Sequence, residues 1–172
     1  MFKLLGSLLI ILAAGGMGIT ISRNYARRPR DLRSLQAALQ MLETEITYTA
    51  TPLPEALGQV ALRAGGRVAP LFSRAREELL SMSGCTAREA WETSLKEFYP
   101  GTALQPVDLA VLRGLGAALG ISNIQDQSKH LRLAMEQLGL EMVRAEEEAA
   151  RYVKLWNYLG FLGGLAAVLM LY

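Results

Sequence analysis

Residues 131–156 read LRLAMEQLGLEMVRAEEEAARYVKLW, and within them Leu131, Met135, Leu138, Met142, Ala145, Ala149, Tyr152 and Trp156 recur at steps of 4, 3, 4, 3, 4, 3 and 4. Residues spaced this way share one face of an α-helix, and a repeat held over several heptads marks a seam that packs on another helix. From about Ser122 onward no proline interrupts the pattern. The charged AEEEAAR, Ala145–Arg151, is then the solvated side of a helix with a narrow seam of small residues.

The stripe does not end at Lys154. Leu155–Tyr172 adds 18 residues without a charged side chain, close to the ~20 apolar residues that cross a hydrocarbon core about 30 Å thick. The sequence therefore predicts one helix of roughly 50 residues, about 75 Å long, running from a water-soluble domain into lipid if Gly139 does not bend it. Tyr152, Trp156 and Tyr158 cluster where such a span would begin and Tyr172 lies where it would end, as aromatic side chains do at membrane interfaces.

The other end of the chain repeats the signal. Between Lys3 and Arg23 stand 19 residues, LLGSLLIILAAGGMGITIS, with no charge. A secretory signal peptide is the alternative reading, since an apolar core followed by Ala13, Ala14, Gly15 and Gly16 also fits one. Against it, the apolar run continues through Met17, Ile19 and Ile21, and Arg23, Arg27, Arg28, Arg30 and Arg33 follow at once. Basic residues flanking spans stay on the cytoplasmic side. Arg144, Arg151 and Lys154 before the second span agree with the first cluster. The expected organisation is an extracytoplasmic terminus over residues 1–3, a transmembrane helix over 4–22, a cytoplasmic helical domain over 23–154 and a second transmembrane helix over 155–172, which makes a two-pass protein of the cell membrane.

Composition fits that division. The 51% hydrophobic content is raised by the two apolar ends, and a formal charge of +2 is too small for a nucleic-acid binder. The one cysteine, Cys85, excludes an internal disulfide and a cysteine metal cluster, as suits a reducing compartment. The 132 residues of the central part suffice for one domain.

That domain reads as all-α, a compact bundle of about six helices whose last member continues into the second span. Leu32, Leu35, Leu39, Leu42 and Ile46 form the stripe of a first helix ending near TATP, and Pro29 is expected to separate it from the first span. Thr51 is a candidate N-cap, with Pro52 at the first position of a second helix that stops at Gly65 and Gly66. A third helix spans about Val68–Met82 and stops before Gly84. Thr86 and Glu89 have capping-box spacing for a fourth, with Trp91, Leu95 and Phe98 on one face. A fifth begins at Pro106 or Asp108 and is closed by Gly120. No alternating run predicts a strand.

Catalytic constellations are poor. His130 is the one histidine, so neither a histidine metal pair nor a triad can form within a chain. Glu146, Glu147 and Glu148 point in different directions around their helix. GLGAALG lacks a preceding strand and a following Lys-Ser or Lys-Thr, so Gly116 and Gly120 read as close packing or a helix end rather than a phosphate loop. No enzyme, cofactor, metal, nucleic acid or small-molecule substrate is expected. The remaining signals concern contacts: Arg27, Arg28, Arg30 and Arg33 with lipid headgroups or an acidic partner, and Glu146, Glu147 and Glu148 with a partner. Gly160 with Gly164, and Ala14 with Gly18, have the spacing that lets membrane helices approach closely, within one chain or in a homo-oligomer.

RPRDLRSLQAALQMLETEITY, TPLPEAL, AWETSLKEFYP and ARYVKLWNYLGFLGGLAAVLMLY resemble the stage III sporulation protein AB family of endospore-forming bacteria over essentially the whole chain. The resemblance implies a membrane component of the channel complex between mother cell and forespore, on the mother-cell side, working with a secretion-type ATPase like stage III sporulation protein AA and with other membrane components. The stretch from Leu32 through TPLPEAL is more loosely similar to the cytoplasmic helical domains of type II secretion and type IV pilus platform proteins, which dock on an assembly ATPase; those carry two such domains where one is expected here. The competing class is a membrane-anchored sensor or signalling adaptor. A core of Leu, Met and Ala offers such a protein few convergent polar groups for a ligand.

Overall fold

The computed structural model describes the backbone of residues 2–81, 84–120 and 123–171, and the side chains of 25–81, 84–120, 123–152, 155 and 158. Among the described residues there are six α-helices and one 3-10 turn: α1 (Phe2–Thr47), α2 (Leu53–Ala64), α3 (Ala69–Leu80), α4 (Ala87–Phe98), the turn Tyr99–Gly101, α5 (Pro106–Gly116) and α6 (Ile124–Leu171). The all-α class expected from the periodicity is the class observed. The chain divides into two compact units, Arg30–Met142 and, separately, Met1–Pro29 with Val143–Tyr172.

In the Arg30–Met142 unit the stripe of α1 is the spine of the core. Leu32, Leu35, Leu39 and Leu42 are fully buried and Ile46 almost so. From α6, Leu131 and Leu138 are buried as well, while Met135 and Met142 of the same stripe are half-buried. Helices α2, α3, α4 and α5 pack in succession, each on the next. Trp91 of α4 sits at their centre, 1% exposed. Its indole N–H donates to the Leu112 carbonyl of α5 at 2.7 Å, and its ring meets Phe72 of α3 edge-on at 5.7 Å between centroids. Gly116 lies one turn beyond Leu112, where a Cβ would collide with the indole, so close packing is what this glycine provides. α5 ends at Gly116, not at Gly120 as expected; Gly120 stands four residues further on in the left-handed region, at φ 79°, with Ala87 directly behind it.

Local signals for helix starts held in one case and failed in another. At α4 the capping box is complete: the Thr86 hydroxyl accepts from the Glu89 N–H at 3.3 Å, and the Glu89 carboxylate accepts from the Thr86 N–H at 2.8 Å. At α2 the expected cap is absent. The helix begins at Leu53 with Pro52 in the N-cap position, and the Thr51 hydroxyl instead donates to the Glu45 carboxylate at 3.2 Å. Pro52 and Pro54 carry no N–H, so Leu53 alone among the first three helical positions after Thr51 offers an amide to cap, and the hydroxyl is held by Glu45 instead.

A second expectation is also corrected. Pro29 lies inside α1, which runs through it. A mid-helix proline costs about 3 kcal/mol through one lost hydrogen bond and a ring clash. Here tertiary bonds offset that cost. Pro29 is buried, Arg28 is ion-paired, and the Asp31 carboxylate accepts from the Ala103 N–H at 3.0 Å.

The predicted spans 4–22 and 155–172 lie, apart from Leu155 and Tyr158, outside the residues whose side chains are described, and so do Ala14, Gly18, Gly160 and Gly164. Among the described residues no helix is long and apolar enough to cross a membrane.

Candidate functional site

At 3.6 residues per turn, four arginines within seven residues cannot share a face. Arg27, Arg30 and Arg33 are exposed. Arg28 is turned inward, its side chain 5% exposed, with Nη1 3.3 Å from the Glu148 carboxylate. One member of each predicted contact cluster is thus paired with the other, while Glu146 and Glu147 are exposed. Three residues before Arg28, the Tyr25 ring stacks on Tyr152 at 5.2 Å, and the Arg151 guanidinium lies 5.8 Å from the centre of the Tyr152 ring.

The sequence carried a signal for the inward turn of Arg28 that the apolar stripe alone obscures. Tyr25, Arg28, Leu32, Leu35, Leu39, Leu42 and Ile46 step 3, 4, 3, 4, 3 and 4. Arg28 therefore stands in phase with the buried stripe. Nothing local names its partner, which is 120 residues away.

A second polar seam, between α1 and α6 in the Arg30–Met142 unit, was not legible in advance. Glu43, 4% exposed, accepts from the Ser128 hydroxyl at 2.9 Å, from Arg132 Nε at 2.5 Å and from the Gln40 amide at 3.0 Å. Burial pushes its carboxyl up, but the Arg132 and Ser128 hydrogen bonds, the Arg132 charge and the Gln40 bond together outweigh burial and hold it below the ordinary value. Nearby, the Gln36 amide crosses Gly139 to donate to the Met135 carbonyl at 2.8 Å. A side chain at position 139 would press on that amide. These residues, with Glu136, line an open groove of about 520 Å³. Its polar walls already bond one another, and it shows no convergent set of unpaired groups.

Other charges tie α1 to α2 and α3 to α4. Glu45 holds Arg63 at 2.7 Å, and Arg74 spans to Glu78 at 2.8 Å and Glu97 at 3.1 Å. The half-buried Cys85 thiol donates to the Glu78 carbonyl, and His130 is exposed on α6. Among the described residues no three of His, Cys, Asp and Glu stand together so as to hold a metal ion.

The comparisons agree with one another. The family model described as Stage III sporulation protein AB matches residues 3–172. Stage III sporulation protein AB of Bacillus subtilis (strain 168) is 39% identical over 171 residues, covering 99% of each chain. A solved structure of stage III sporulation protein AB superimposes with a TM-score of 0.66 at 38% identity, covering 72% of this chain and 96% of that one.

Proposed function

This chain belongs to the stage III sporulation protein AB family, and from that premise we propose that it is a non-enzymatic platform of a sporulation channel or secretion-like complex, set in the cell membrane by spans 4–22 and 155–172. In this reading the helical domain over 23–154 is cytoplasmic, on the mother-cell side. It couples a secretion-type ATPase like stage III sporulation protein AA to the membrane components of the complex.

The observation that carries the proposal is the match over residues 3–172, because it takes in both charge-free ends as well as the helical domain. The structure supports it in one respect. Polar side chains fix helices to one another, as in Glu43 with Ser128 and Arg132, which suits a rigid platform. Exposed Arg27, Arg30 and Arg33 are the proposed contact with headgroups or an acidic partner surface, and the exposed Glu146 and Glu147 are a second proposed contact.

Two experiments test the proposal. The secretion-type ATPase should co-purify with the full chain from sporulating cells, and its absence from the complex would remove the coupling role. An impermeant thiol reagent should leave Cys85 unlabelled in intact cells. Labelling there would place the central domain on the wrong side.

A further inference from the structure

The geometry points to a clasp between α1 and α6, made of Arg28–Glu148 and Tyr25–Tyr152, that fixes the axial register of the two helices over these residues. The inference concerns the chain alone and does not depend on any ATPase.

Arg28 occupies a seam position of α1 that the repeat otherwise gives to leucine, and a guanidinium stays charged wherever it is buried. An isolated polar or charged group in a helical seam does little for stability but narrows the choice of register, because it favours those that bring it a partner. Here it adds to the selection that Glu43 with Ser128 and Arg132, and Gln36 with Met135, make further along the same two helices. Around Glu148 the α6 stripe carries Ala145, buried, and Ala149, half-buried, small residues that pack about equally well after a slide of one turn.

The neighbours of Glu148 exclude those slides. Arg144 stands four residues before it and Arg151 three after it. A slide of one turn either way would bring Arg28 against another arginine or against Ala145 or Tyr152, in place of its carboxylate. A slide of a full heptad would offer Glu141 as a substitute partner, but would carry Tyr25 from the Tyr152 ring to Ala145. The ion pair rejects the short slips and the aromatic stack rejects the long one.

The test is a cross-linking ruler in the full chain, in membranes, with Cys85→Ser to remove the native thiol. Tyr25→Cys is combined either with Tyr152→Cys or, one turn away, with Ala149→Cys, and the ratio of the two disulfide yields is read after mild oxidation. Because Tyr25→Cys removes the stack, the ion pair alone must hold the register on the Tyr25 side of Pro29, and the 25–152 bond should dominate. Glu148→Arg should lower the ratio by about tenfold or more, and Arg28→Glu added to it should restore the ratio. A ratio unmoved by Glu148→Arg would overturn the proposal. Should Glu148→Arg alone fail to give folded protein, the double exchange decides: recovery of folded protein with 25–152 dominant supports the clasp, and failure of the exchange to recover it overturns the clasp.

Discussion

Substituting Gly116 by alanine should destabilise the protein in one background and not in another. A Cβ built on Gly116 lands on the Trp91 indole, with Cγ at 3.2 Å and Nε1 at 3.4 Å and a third ring atom nearer still. The ring cannot retreat freely. It is 1% exposed, it abuts Phe72, and its N–H is fixed to the Leu112 carbonyl one turn back along the helix that carries Gly116. Overpacking of this kind costs about 1–3 kcal/mol, and stretching the indole hydrogen bond adds about 1 kcal/mol. Against this stands a gain of at most about 1 kcal/mol from replacing a helical glycine by alanine. Gly116→Ala should therefore cost about 1–3 kcal/mol net, seen as a fall of roughly 2–12 °C in the thermal midpoint of the full chain by circular dichroism. In a Trp91→Leu background the obstacle is gone. There the same Gly116→Ala change should be neutral or slightly stabilising, so that the double-mutant cycle closes with a coupling of about 1–3 kcal/mol. An equal cost in both backgrounds would show that close approach to Trp91 is not what requires glycine at 116.

Three further outcomes follow from single contacts. Folding lowers the Glu43 carboxyl below its ordinary value of 4.5, so its stabilisation is complete above that pH and is lost as pH falls through the folded value; the wild type should exceed Glu43→Gln by about 2 kcal/mol at pH 7, and the gap should close in acid-denaturation curves below pH 4.5. A gap that stays constant as pH falls would mean the charge is not what matters. Thr86→Ala removes the cap of α4 and should cost about 1 kcal/mol in urea unfolding, whereas Thr51→Ala should leave the start of α2 in place and loosen Glu45. Ala50 holds φ at 49° in the turn after α1, so Ala50→Gly should raise the thermal midpoint, by no more than the equivalent of about 1 kcal/mol.

What the sequence made legible and what it hid divide along a physical line. Periodicity reports which side of a helix is buried, and the leucines from Leu32 to Leu42 are fully buried as their spacing requires. Capping reports a competition within four residues, and Thr86 with Glu89 had no rival. Thr51 lacked partners, because Pro52 and Pro54 have no N–H to donate, and its hydroxyl turns to Glu45 of the preceding helix. Pro29 misled for a different reason. Its penalty is local, but the bonds of Arg28 and Asp31 that offset it are made with residues 120 and 72 positions away. Glu43 with Arg132 is the same case at 89.

Departures from an otherwise regular pattern are therefore where the distant contacts lie. Apolar side chains along the α1 stripe are interchangeable in kind, and each would accept several leucine- or alanine-lined neighbours on α6 at similar cost. A charged residue in the same row is not interchangeable. Buried Arg28 accepts only positions that place a carboxylate within reach, and Glu148 between Arg144 and Arg151 is such a position bounded on both sides by repulsion. The stripe supplies the free energy that brings α1 and α6 together, and the polar residues set among it, Arg28 as well as Glu43, limit how far along each other they come to rest.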